Sequence, residues 1–425
     1  MFHPSTSAPG RAFHGIAVVR AAFVIALFGW GVGFYGPPVF LYAVVSRTGW
    51  PLALVSAAVT VHFLWGAAVV ACLPRLHARW GLPAVTVAGT TALALGVAGW
   101  AHAAQPWQLF AAALLSGGGW VAIGAAGINA MVSPWFVRDR AIALSRAYNG
   151  ASVGGMVFSP LWGALIAQWG FATAAWGVGA CMVATIAVLA RQVLAPTPAA
   201  LGQAPDGITH AAHDAPARPT RPAASATVWA PLPGGALWSE RRFQTLAAAM
   251  ALGLFAQIGL VAHLYSLLTP RLGPQGAGWA MALATACAMG GRSVAARSLQ
   301  SVRDRRRVAC ASYAVQIAGS LVLLAAPVHG HWLWVGMVLF GAGIGNATSL
   351  PPLVAQTDFA AQDVARVVAL IVALSQALYA LAPMAFALLL GARPGTALFF
   401  GVAAALQLLA MALLWSGRSA AAAPH

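Results

Sequence analysis

Apolar runs of helix length recur along this chain from residue 18 to residue 415. About 20 mostly apolar residues cross roughly 30 Å of hydrocarbon as a helix. In that medium only helices and closed barrels satisfy their own backbone groups. The runs lack the ten-residue alternation of barrel strands, so each reads as a spanning helix. Six fall near residues 18–44, 51–73, 83–102, 107–133, 141–167 and 172–194, and six more near 243–268, 277–296, 308–327, 332–353, 366–390 and 395–415. Composition excludes a water-soluble alternative: 60% of residues are hydrophobic and 7% charged, against about 25% charged in a soluble domain.

The stretch between the two sets differs in kind. Residues 195–242 hold Pro196, Pro198, Pro205, Pro216, Pro219 and Pro222, and such a composition cannot bury enough apolar surface to fold alone. The expected layout is an all-α membrane protein of twelve spans in two six-helix bundles: a tail 1–17, a bundle 18–194, a flexible linker 195–242, a bundle 243–415 and a tail 416–425. His210, His213 and Asp214 have a spacing that a metal could use, but in this setting they read as solvated linker. No metal and no cofactor is expected. Cys72, Cys181, Cys287 and Cys310 lie far apart without metal-ligand spacing and read as small buried residues.

The formal net charge is +16, and all 23 basic residues are arginines. They occupy gaps between apolar runs and form no stripe suited to nucleic acid. With the N-terminus inside, only Arg47, Arg271 and Arg393 fall in outer loops, 3 of the 23. That bias predicts an inner-membrane, multi-pass protein with both termini and the linker in the cytoplasm. Gly49-Trp50 at the second span and Gly278-Trp279 at the eighth form a weak internal echo, as a parallel repeat of two halves would. A monomer is expected.

The chain resembles the major facilitator superfamily, in its bacterial branch near monocarboxylate and oxalate/formate carriers. The motif that carries the resemblance runs from Trp135-Phe136-Val137-Arg138-Asp139-Arg140 into Ala141-Ile142-Ala143, followed by Gly150 and Gly154; Gly29-Trp30-Gly31 echoes a first-span signature. The loop after span two reads Pro74-Arg75-Leu76-His77-Ala78-Arg79-Trp80-Gly81, which keeps the superfamily's gating Arg79 and Gly81 but has Ala78 where the family has aspartate. In the second half the equivalent stretch begins near Ala296 and has Gln300 at that place.

The distribution of charge suggests what is carried. The seven acids, Asp139, Asp206, Asp214, Glu240, Asp304, Asp358 and Asp363, all map to loops or linker. Arginine, by contrast, enters the spans. Arg292 lies roughly 21 Å along the eighth span, and a guanidinium offers a carboxylate two parallel hydrogen bonds. It also matches the eighth-span arginine that binds substrate carboxylate in the monocarboxylate family, with Ala288 in place of that family's acid. Arg146 and Asn149 enter span five, and Tyr35-Gly36-Pro37-Pro38 breaks span one. Asn346, Gln376 and Tyr379 are further candidate substrate contacts, and His62 and His263 are candidate proton carriers. Gly341, Gly343 and Gly345 imitate a dinucleotide loop but lie in an apolar helix with no preceding strand. These features predict an alternating-access transporter of a small organic anion, a carboxylate in the first place, with efflux of a neutral or hydrophobic compound as the second reading and a non-transporting sensor as the third. An intramembrane enzyme would want clustered His with Asp or Glu, and the chain has none.

Overall fold

The computed structural model describes residues 13–207, 232, 234–301, 304–326, 330–345, 350–392 and 395–418. These residues are almost wholly helical, with no strand among them. Among the described residues, nine helical stretches are long and apolar enough to cross a membrane. Two of them, Arg140–Leu194 and Arg241–Ala295, run to 55 residues each, about 80 Å if straight. Each folds back at a glycine in the left-handed region, Gly170 (φ 76°) and Gly273 (φ 72°), where a β-carbon would be strained. Each therefore supplies two crossings. Trp332–Ile344 and Leu350–Asp358 make the tenth, and the fold has twelve spans in two sets of six.

The repeat is visible at the turns. Gly49 (φ 70°) and Gly273 (φ 72°) stand between spans one and two and between seven and eight; Gly170 (φ 76°) and Gly395 (φ 90°) stand between five and six and between eleven and twelve. The Gly49 counterpart is thus Gly273, not the Gly278 that the sequence echo suggests.

The chain divides into two compact units, Met1–Val44 with Val61–Pro222, and Val45–Thr60 with Ala223–His425. In the first, span one packs on span five through small residues. Gly150 meets the Phe23 carbonyl and Gly154 the Leu27 carbonyl so closely that a β-carbon on either would overlap it. Close backbone approach of this kind replaces the hydrophobic drive that lipid removes. Gly117 and Gly119 likewise admit spans two and three to span four. Side chains on the outside, such as Leu114, Leu115, Leu408 and Leu409, are apolar and exposed, as lipid-facing positions are. Cys72 and Cys181 are exposed too, contrary to the buried setting expected of them.

The second unit is locked at one end by Arg306, which is 2% exposed. Its Nε donates to Asp358 at 2.8 Å, and its terminal nitrogens donate to Thr245, the Leu414 carbonyl and the Arg242 carbonyl. One guanidinium thus ties the ends of spans seven, nine, ten and twelve. Arg242 donates to Glu240 at 2.7 Å, and that hydrogen bond holds the Glu240 carboxyl below the usual carboxylate range.

Part of the expected flexible linker is folded. Asp206 (φ 62°) accepts from the backbone N–H groups of Val137, Arg138 and Asp139, the Arg138 contact at 2.8 Å. These three precede the helix that starts at Arg140, so a carboxylate sits where free N–H groups and the helix dipole favour an anion. His14 N–H donates to Gln203 in the same clasp. On the other side, the Leu232 N–H donates to Asp363 and its carbonyl accepts from Arg366. Proline content hid both contacts. His210, His213 and Asp214 lie outside the described residues.

The span-one seam yields a paired test. Gly154→Leu is expected to lower the thermal midpoint and the monodisperse yield in detergent, since overpacking costs about 1–3 kcal/mol. Gly177→Leu, where an added side chain meets nothing within 4 Å, should leave both unchanged. Thermal-shift and size-exclusion measurements check the pair.

Candidate functional site

Span one breaks where its prolines remove donors. Its first arm ends at Gly33, and the N–H groups of Phe34 and Tyr35 both turn back to the Trp30 carbonyl at 3.0 and 2.8 Å. In a continuous helix the carbonyls of Gly33 and Phe34 would accept from residues 37 and 38. Those are Pro37 and Pro38, which have no N–H. Span two supplies the missing donor for Gly33: His62 Nε2 lies 3.0 Å from its carbonyl oxygen. A carbonyl only accepts, so Nε2 carries the proton. The other nitrogen, Nδ1, lies 2.9 Å from the Ser116 hydroxyl and accepts from it, and Ser116 in turn accepts from the Trp100 indole at 3.2 Å. The resulting relay runs in one direction, Trp100 to Ser116 to His62 to Gly33. All three side chains are buried. Aligned hydrogen bonds reinforce one another in a medium of low dielectric. His62 is therefore a brace of the span-one break, and neither of its nitrogens is left open for the proton-carrying role expected of it.

Span four breaks beside span one. Its helix Pro106–Trp120 stops, and the next begins at Ala125. Gly29 faces the Ile123 carbonyl, and the Trp120 indole lies over Gly33 where any β-carbon would overlap it. Rings gather at this junction. Trp120 meets Trp30 at 6.3 Å, Phe34 at 6.2 Å, Phe63 at 5.8 Å and His62 at 5.9 Å between centroids. Tyr148 of span five adds a contact with Trp30 at 5.9 Å; its hydroxyl accepts from Asn129 and donates to the Ala125 carbonyl. Tyr35, expected here, packs edge-on against Phe34. Trp30, Phe34, Phe63 and Trp120 were not legible as site residues. Their signal was the coincidence of aromatic residues with helix-breaking pairs in spans one and four.

Arg146 and Asn149 lie on the same helix as Tyr148. Arg146 stands two positions before Tyr148, which turns it about 160° away around the helix. It is half-buried, and Asn149 is exposed.

In the second unit, span eleven is interrupted at Ala380–Leu381. His263 Nε2 donates to the Pro383 carbonyl at 2.8 Å, the Met384 N–H donates to Thr60 at 3.3 Å, and His263 Nδ1 is buried without a hydrogen-bond partner. Gln376 and Tyr379 do meet, through a side-chain hydrogen bond just before this interruption. Gln316 is glue, donating to the Gly343 carbonyl and accepting from Gln407. Arg292 is half-buried, 19 residues past Gly273 and nine before the helix end at Ser301, about 28 Å along its arm. That is nearly the whole of the roughly 30 Å of hydrocarbon, so Arg292 stands nearer the far end of its crossing than the sequence count suggested, because the arm starts earlier. Asn346 lies outside the described residues.

The loop after span two forms the short helix Leu73–Trp80, closed by Gly81 at φ 79°. Arg79 lies 5.6 Å over the Trp80 ring, a local contact in place of the missing aspartate. Burial lowers the pKa of His77 in this loop. Among the described residues no group of three metal-ligating side chains comes together.

Twelve apolar crossings, several broken and braced by neighbouring side chains, define a polytopic carrier built on discontinuous helices. The sequence profile of the Major Facilitator Superfamily matches residues 21–383, and the chain belongs to that superfamily: it is a multi-pass membrane transporter. Among solved structures it is similar to a bacterial homologue of the human lysosomal transporter Spinster, inward-facing and occupied (13% identity, TM-score 0.70, covering 96% of this chain and 97% of that one). It is similar to the nucleoside transporter NupG (12%, 0.71, 96% and 98%) and to the peptide transporter POT in complex with sulfate (15%, 0.68, 94% and 94%). At these identities the likeness shows the fold. No curated protein matches the sequence.

The brace predicts a graded series. His62→Gln keeps an N–H for Gly33 and should retain near-normal stability and transport. His62→Phe fills the space without a donor and should cost about 1–3 kcal/mol for the orphaned carbonyl. Thermal unfolding of both variants, with uptake measured alongside, checks it.

Proposed function

We propose that the chain moves a small organic anion, a carboxylate in the first place, by alternating access, as in the monocarboxylate and oxalate/formate branch that its motifs resemble. One observation carries this reading. Every described carboxylate stands in a loop or at a helix end, and five of the six are engaged there: Asp206 on backbone N–H groups, Asp304, Asp358 and Asp363 on arginines, Glu240 on Arg242; the sixth, Asp139, directly precedes the helix that starts at Arg140. Guanidinium, in Arg146 and Arg292, lies inside helices that cross. A path with positive and no negative side chains favours anions and disfavours cations. Arg292 is assigned the carboxylate contact, with Arg146, Asn149, Tyr35, Asn346, Gln376 and Tyr379 as supporting contacts.

Proton coupling on this reading falls to His263, whose Nδ1 is unpartnered, and His62 keeps its bracing role. The protein works as a monomer in the inner membrane with both termini in the cytoplasm, and Arg79 and Gly81 belong to its inner gate. Efflux of a neutral hydrophobic compound is the second reading, and the half-exposed rings around Trp120 favour it.

Uptake of labelled carboxylates into proteoliposomes, with and without a pH gradient, separates the two. Arg292→Gln should lower carboxylate uptake at least about tenfold with normal insertion, while Arg292→Lys keeps the charge, loses the planar fork and shows a raised KM. Equal uptake by wild type and Arg292→Gln would falsify the assignment.

A further inference from the structure

We propose that the junction of the span-one and span-four breaks is a subsite for a planar, unsaturated body on the transported acid, with the Trp120 indole N–H as its hydrogen-bond donor. This rests on the organic-anion reading above and narrows it to aryl or similarly flat acids.

The donor is the first argument. Trp120 Nε1 is buried and has no hydrogen-bond partner, and an indole nitrogen only donates. Its neighbours' polar groups are engaged: the Gly33 carbonyl on His62, the Tyr148 hydroxyl on Asn129 and on the Ala125 carbonyl. A buried donor left alone among paired groups calls for a partner. Its location is the second argument. A β-carbon on Gly33 would come within 2.8 Å of Nε1, and one on Gly124 within 3.7 Å. Nε1 therefore lies between the two breaks, against two residues that carry no side chain.

The walls are the third argument. Trp30, Phe34, Tyr35, Trp120 and Tyr148 are half-buried, whereas the bracing residues behind them, His62 and Phe63, are buried. Trp30 stands nearly perpendicular to both Trp120 (81°) and Tyr148 (83°), and Phe34 lies tilted by 31° against Trp120. A flat ring meets such walls edge-on or offset at the usual 4.5–7 Å. Aromatic walls also attract cations. Here the unmatched group is the positive end of an N–H, and it selects an acceptor: a carboxylate or carbonyl oxygen on the ligand.

Binding to the purified full-length transporter tests this, with benzoate, its saturated analogue cyclohexanecarboxylate, and benzyltrimethylammonium as probes in titration calorimetry. Wild type should bind benzoate at least about tenfold tighter than cyclohexanecarboxylate and should not bind the ammonium. Trp120→Phe keeps a ring and loses the N–H, and should weaken benzoate about five- to tenfold while leaving the thermal midpoint near wild type. Trp120→Leu should erase the preference between the two acids. Tyr148→Phe, a milder change at the same wall, should reduce the preference in a chain that still folds. Equal binding of the two acids, unmoved by either Trp120 variant, overturns the subsite and leaves the organic-anion reading standing. Binding of neither acid overturns both, and tighter binding of the ammonium overturns the choice of ligand charge.

Discussion

Hydrocarbon offers no water to an unpaired backbone group, and the organisation of this transporter follows from how its helix breaks are repaired. Pro37 and Pro38 take two donors out of span one, and without repair the exposed carbonyls would make the break costly. His62 answers for Gly33, and Ser116 and Trp100 hold His62 in the tautomer that can answer. Span eleven is also held at its interruption, but at other groups: the Met384 amide donates to Thr60 and His263 donates to the Pro383 carbonyl. Both histidines thus join a neighbouring helix to a place where proline has interrupted the ladder. The difference between them is one nitrogen: His62 uses both, and His263 leaves Nδ1 unpartnered.

Charge follows the same economy. Arg306 is buried where four spans end, and its carboxylate, backbone and hydroxyl acceptors are what make a buried guanidinium tolerable. Asp206 does the converse, bringing a carboxylate to three free N–H groups at the start of span five. The motif Trp135 to Arg140, which carries the family resemblance, is thereby also a docking point for the chain that leaves span six.

Much of this was legible in the sequence, and the physical reason is length. Twenty apolar residues have few alternatives to a spanning helix, so the twelve crossings and the placement of the acids at their ends could be read from the chain. The proline break in span one was equally plain, because proline acts on its own backbone. What could not be read is what depends on register between helices. Nothing in the sequence near His62 says that its ring reaches Gly33, although the orphaned carbonyl and the polar residue in the adjoining span were both visible. Trp120 was one tryptophan among 17, and only its placement over Gly33 distinguishes it. Asp206 sat in a proline-rich stretch whose composition signals disorder, and its left-handed turn onto the loop before span five is a tertiary fact.

The confinement of carboxylates to helix ends has an electrical corollary. On the anion reading, loading adds one negative charge to a path that holds guanidinium. A full elementary charge crossing 100 mV of membrane potential changes energy by about 2.3 kcal/mol, and a binding site that shifts through part of the field feels part of that. The voltage then acts differently on the return of the unoccupied carrier and on the step that carries cargo. A negative interior would oppose inward movement of the loaded site relative to that of the vacant one.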